Sequence, residues 1–101
     1  MLIRKPSEVL ILAYENESDE RALSPFEKID TLKDDCIHLN MKVIKTYTEL
    51  EELNDDIENN IVPNVPVILW GYVSDYPGLE QSSLDYYSHI EILPHLEMIS
   101  A

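Results

Sequence analysis

The chain has 101 residues, 45% of them hydrophobic, and seven basic residues against 20 acidic ones give a formal net charge of −13. That length fits one domain with a working core, and that apolar content excludes a disordered tail. Direct contact with nucleic-acid phosphates, or docking on an anionic membrane, needs the Lys and Arg that this chain lacks.

Residues 1–8 read as an N-terminal extension to a single domain spanning 1–101. Val9-Leu10-Ile11-Leu12-Ala13 is a continuous apolar run, the pattern of a strand buried on both faces. Tyr14 to Glu20 is acidic and reads as a loop. Ser24-Pro25-Phe26-Glu27 then opens a helix, with Ser as N-cap, Pro in the first turn and Glu three residues after the cap. Phe26, Ile29, Leu32, Cys36 and Ile37 follow at helical spacing, and Asn40 ends the stretch. Met41 to Tyr47 is β-rich. Thr48 and Glu51 form a second capping box, with Leu50, Leu53, Ile57 and Ile61 as the apolar stripe and Asp55 and Asp56 on the wet face. Val65 to Trp70 reads as a third strand, and Gly71 marks a turn from which Tyr72-Val73-Ser74 pairs back as a hairpin. Leu84, Tyr87 and Ile90 lie on one face of a third helix, and Pro94 starts a last turn carrying Leu96 and Ile99. The order β-α-β-α-β-β-α predicts an α/β fold, a central four-stranded mixed sheet with helices on both faces.

The one cysteine, Cys36, excludes an internal disulfide and a cysteine-based metal cluster. His38, His89 and His95 lack the spacing of a metal-binding helix face. No metal or resident cofactor is expected. No apolar run reaches the length of a bilayer crossing, and Met1-Leu2-Ile3-Arg4-Lys5-Pro6 is too short and polar for a secretory leader. The expected location is a cytoplasm, bacterial or phage-infected.

The order and two short motifs resemble the glutaredoxins, and hence the three-layer α/β/α sandwich of the thioredoxin fold. Glutaredoxins open their first helix with Cys-Pro-Tyr/Phe-Cys, where this chain has Ser24-Pro25-Phe26-Glu27. They carry Thr-Val-Pro, with a cis proline, ahead of the third strand, where this chain has Asn64-Val65-Pro66 at close to the usual separation. Their Gly-Gly-Asx segment is similar to Pro77-Gly78-Leu79-Glu80. The resemblance implies that glutathione would lie across Ser24 and Phe26, Val65 and Pro66, and Gly78 and Glu80, with Arg21 as the nearest cation for a carboxylate.

Both redox cysteines are replaced. A helix N-terminus lowers a thiol's pKa, but a serine hydroxyl is far too weak an acid to ionise there, and Glu27 cannot form a disulfide. Cys36 lies three turns along the helix, ~18 Å at ~1.5 Å per residue, on the apolar stripe. Thiol–disulfide exchange is therefore not expected. The leading expectation is a redox-inactive glutaredoxin-like protein that binds another protein or a small peptide, glutathione being a candidate. A serine-type glutathione-using enzyme, in which Ser24 donates to a bound thiolate, is the second reading. The third is an acidic, phage-type decoy that binds a basic host protein through its charge. Trp70 and Tyr72, flanking Gly71, could be an exposed aromatic patch or part of the core.

Overall fold

A segment with no polar residue has no face to offer water, and this chain places it at the centre of a sheet. The structure, a computed structural model, describes residues 6–13, 25–72, 76 and 85–93. β1 (Glu8–Leu12) is flanked by β2 (Lys42–Tyr47) and β3 (Val67–Leu69), and β4 (Tyr86–Ser88) lies beyond β3. All five side chains from Val9 to Ala13 are buried. β1 pairs in parallel with both neighbours, and β3 pairs in parallel with β4.

α1 (Pro25–His38) connects β1 to β2, and α2 (Leu50–Glu58) connects β2 to β3. The two crossovers run in opposite directions across the sheet, so crossovers of one hand put the helices on opposite faces. The core divides accordingly. Val9, Ile11, Ala13 and Ile68 pack with Ile29, Leu32 and Cys36 of α1. Leu10, Leu12, Val67 and Leu69 pack with Leu53 of α2. Both helices end in the same way. Asn40 and Asn60 take positive φ, 59° and 55°. Met41 N–H donates to Cys36 O and Asn40 N–H to Ile37 O after α1, and Ile61 N–H donates to Asp56 O and Asn60 N–H to Ile57 O after α2. This paired arrangement uses up the last carbonyls of each helix.

Five expectations are corrected here. The sheet is all parallel, not mixed. The partner of β3 on the side away from β1 is β4, and Tyr72 lies in no strand; Val73 and Ser74 are outside the described residues. Tyr86 and Tyr87 form β4, with Tyr86 against the α2 side and Tyr87 against the α1 side. The helical spacing of Tyr87 and Ile90 is overridden by this pairing, which suits aromatic residues. The helix that follows is α3 (His89–Ile92), four residues long. The N-cap of α2 is Glu49, with no side-chain cap bond, so Thr48 and Glu51 form no capping box. Finally, Phe26, Ile37 and Ile61 are 73%, 66% and 62% exposed and lie off the apolar stripes. Leu84 and the segment after Leu93 fall outside the described residues.

Candidate functional site: the groove between α1 and α3

The strands all point one way, so the chain leaves β3 and β4 at the same edge. Beyond Leu69 the backbone turns at Gly71, whose φ of 102° is favourable only without a side chain. Trp70 N–H donates to Leu12 O at 3.1 Å. The buried Tyr76 returns a hydroxyl to Trp70 O at 2.6 Å. His89 follows β4 directly. Its ring stacks on Trp70, with centroids 4.4 Å apart and planes 15° apart. Gly71 N–H lies 3.1 Å from His89 Nδ1, and Leu69 O lies 3.2 Å from the same atom.

His89 is also one wall of an open groove of about 380 Å³ lined by Asp35, His38, Leu39, His89, Ile90 and Leu93. α1 supplies Asp35 and His38, with Leu39 just beyond its end. α3 supplies His89 and Ile90, with Leu93 following. Leu39 and Leu93 pack onto the α1-side core, so the apolar floor continues into the interior. Ile90 stays 49% exposed. Burial pushes the pKa of His89 below the ordinary histidine value; the contact with Leu69 O and the charge of Asp35 oppose this. Near neutral pH the ring is uncharged.

A second polar cluster lies on the other face of the sheet. The pairing of β1 with β2 slips by one residue between Val9 and Leu10, so Val9 faces Val43 but Leu10 faces Lys45. Such a bulge re-aims the side chains after it. Lys45 and Tyr47 thereby fall opposite Leu10 and Leu12, whose side chains meet α2. Asp56, one turn beyond Leu53, is buried there at 7% exposure. It accepts from Tyr47 Oη at 2.7 Å and from Lys45 Nζ at 2.5 Å. The hydrogen bonds to Lys45 and Tyr47 hold its carboxyl below the ordinary aspartate value. Burial, then Asp56, push the Tyr47 phenol upward, so it stays protonated at neutral pH.

Of the residues expected to hold glutathione, the structure describes Phe26, Val65 and Pro66. Arg21, Ser24, Gly78 and Glu80 are outside the described residues. Among the described residues no peptide bond is cis, so Val65–Pro66 is trans. Pro66 O accepts from Leu10 N–H at 2.9 Å and belongs to the sheet. Because β3 runs parallel to β1, Val65 and Pro66 lie where the strands begin, whereas α1 is entered after β1 ends. Phe26, in the first turn of α1, and Pro66 therefore stand at different edges. The expected wet surface at Asp55 and Asp56 holds for Asp55, which is exposed, and fails for Asp56. Trp70 is half-buried on the α1-side core, while Tyr72 is 49% exposed.

No family model, curated protein or solved structure matches the chain. The described residues contain no cluster of His, Cys, Asp and Glu fit for a metal ion and no helix long and apolar enough to cross a membrane.

Proposed function

We propose that this protein is a non-catalytic binding domain whose α1–α3 groove takes a basic, amphipathic segment of another protein. The groove carries the reading: an apolar floor of Leu39, Ile90 and Leu93 with a carboxylate, Asp35, at its wall. Apolar side chains of the segment bury against that floor, worth about 25 cal/mol per Å² removed from water. Its Lys and Arg meet Asp35 and the exposed Asp34 and Glu91 nearby in the chain. The net charge of −13 favours the same partner, because complementary charge speeds encounter and selects against acidic competitors. Thiol chemistry has no part in this reading. Cys36 is buried, and burial pushes its thiol up to about 11, whereas reactive cysteines are exposed and have lowered values.

The test is calorimetric titration with a synthetic amphipathic peptide of leucine and lysine, with glutathione as a parallel ligand. The expected result is one-to-one peptide binding that Ile90→Asp and Asp35→Lys each weaken at least ~10-fold, or about 1.4 kcal/mol. Glu58→Lys, an equal change of charge on the opposite face, should leave most of the affinity in place. Absence of peptide binding, equal loss in all three variants, or binding of glutathione in preference to the peptide would each overturn the reading.

A further inference from the structure

Nδ1 of His89 faces two backbone groups of opposite character. Gly71 N–H is a donor 3.1 Å away, and Leu69 O is an acceptor 3.2 Å away. One ring nitrogen satisfies only one of them at a time. In the neutral ring with its proton on Nε2, Nδ1 accepts from Gly71 N–H. In the imidazolium both nitrogens carry protons, so Nδ1 donates to Leu69 O and the Gly71 N–H faces another N–H. The Nε2-protonated neutral ring thus holds the Gly71 end of the turn that leaves β3, and the imidazolium holds the Leu69 end.

We propose that His89 is a proton switch on the α1–α3 groove, in which protonation releases the Gly71 turn and lowers the groove's affinity for a basic segment. This rests on the binding reading above for its ligand, though not for the switch itself. The ring is one wall of the groove, so its positive charge stands where the lysines of a bound segment would approach. The charged and titratable groups around it are few. α1 presents Asp35 and His38 to the same groove, and α3 carries the exposed Glu91. On the β3 side the ring meets Trp70, whose carbonyl holds the Tyr76 hydroxyl, and the half-buried Tyr87 of β4 packs on the same core. Asp35 favours the charged ring and burial opposes it, with burial the larger effect. The switch is therefore closed at neutral pH and opens as pH falls below the ordinary histidine value.

Binding and protonation are linked reciprocally. If the charged ring weakens the ligand, the bound ligand must lower the pH at which the ring titrates by the matching factor.

The experiment follows two readouts in a His38→Gln background, which removes the other groove imidazole. The first is the amide resonance of Gly71 against the His89 ring resonances as pH is lowered from about 7.5 to about 5. The expected result is one shared titration. The second is the affinity of the leucine–lysine peptide at the two ends of that range, expected to fall ~10-fold on acidification, with His89→Gln, whose side-chain carbonyl can accept from Gly71, binding equally at both. A Gly71 amide that stays put while His89 titrates overturns the switch, whatever the peptide does. An affinity that falls equally in His89→Gln does the same. If the peptide binds at neither pH but Gly71 and His89 titrate together, the switch stands and the binding reading of the groove falls.

Discussion

Tyr47 Oη donates to Asp56 Oδ2 at 2.7 Å, joining the last residue of β2 to the core-facing stripe of α2. The bond exists because the bulge in β2 turns Tyr47 toward α2 and because Asp56 lies three residues after Leu53 on that helix. Tyr47→Phe keeps the ring and removes the donor, so it should lower stability by about 0.5–1.5 kcal/mol in urea unfolding. Asp56→Asn adds a pH dependence. Asp56 is held below its ordinary value of 3.8, so its contribution is complete above that value and is lost as pH falls through the lower, folded-state value. The gap in stability between parent and Asp56→Asn should be present at neutral pH and shrink as pH falls below 3.8 and through the lower, folded-state value. A gap that is the same at both ends would mean that the ionised carboxylate adds nothing. Lys45 is 42% exposed, so Lys45→Ala should cost little, and less at high salt.

The two-sided core predicts an additive pair. Leu32 and Leu53 are both fully buried, the first among α1-side residues and the second among α2-side residues, with no shared neighbours in either cluster. Each truncation to alanine should cost about 2–5 kcal/mol, and the double variant should lose the sum within about 0.5 kcal/mol. Ile37→Ser and Ile61→Ser, at residues that helical spacing alone would have buried, should each change stability by no more than about 0.5 kcal/mol. Thermal melts of the five variants decide the matter.

What the sequence discloses is what local chemistry controls. Val9 to Ala13 has one solution, a strand covered on both faces, and the asparagines that close α1 and α2 are legible because few other residues accept a left-handed turn. Strand direction is not local. Nothing in Val65 to Trp70 says whether β3 runs with or against β1, and the fold turns on that choice: the parallel choice moves Pro66 to the edge away from the start of α1. Asp56 departs from the expected wet face for a related reason. Its position in the helical period places it inward, but its charge suggests water, and only Lys45 and Tyr47 on another element resolve the conflict. Those partners reach it through a one-residue bulge that leaves no mark in the amino-acid pattern. The groove could have been anticipated in part, since Asp35, His38 and Leu39 sit together at the end of α1. Its other wall depends on α3, which the helical spacing of Leu84, Tyr87 and Ile90 conceals.

Cys36 should be chemically silent in the folded protein. It is buried against Leu32 and Ile29 in the α1-side core, and burial, then the charge of Asp35, move its thiol from 9.0 to about 11. That change alone makes the thiolate roughly a hundredfold rarer at pH 8. Alkylation by iodoacetamide should therefore be at least ~100-fold slower in the native protein than in urea, as read by mass spectrometry over time. Comparable native and denatured rates would show that the thiol is accessible.

Ser88 should be better replaced. Its hydroxyl is buried, the residue being 2% exposed, and Oγ has no hydrogen-bond partner among the described residues. Ser88 stands opposite Leu69 at the end of β4 and precedes α3 without making a side-chain cap bond. Its backbone is already paired as a strand residue, so the hydroxyl alone is at issue. A buried hydroxyl without a partner costs about 1–3 kcal/mol, and alanine removes it while vacating a space the size of one oxygen. Ser88→Ala should therefore match or exceed the parent's stability, with a gain of up to about 1 kcal/mol, or ~4–8 °C in Tm for a domain of this size. Ser88→Val tests the same space from the other side, because an added methyl in a closed core costs about 1–3 kcal/mol. A loss of more than about 1 kcal/mol in Ser88→Ala would mean that the hydroxyl is satisfied in solution, and a gain together with a loss in Ser88→Val would show a site tightly packed but polar without return.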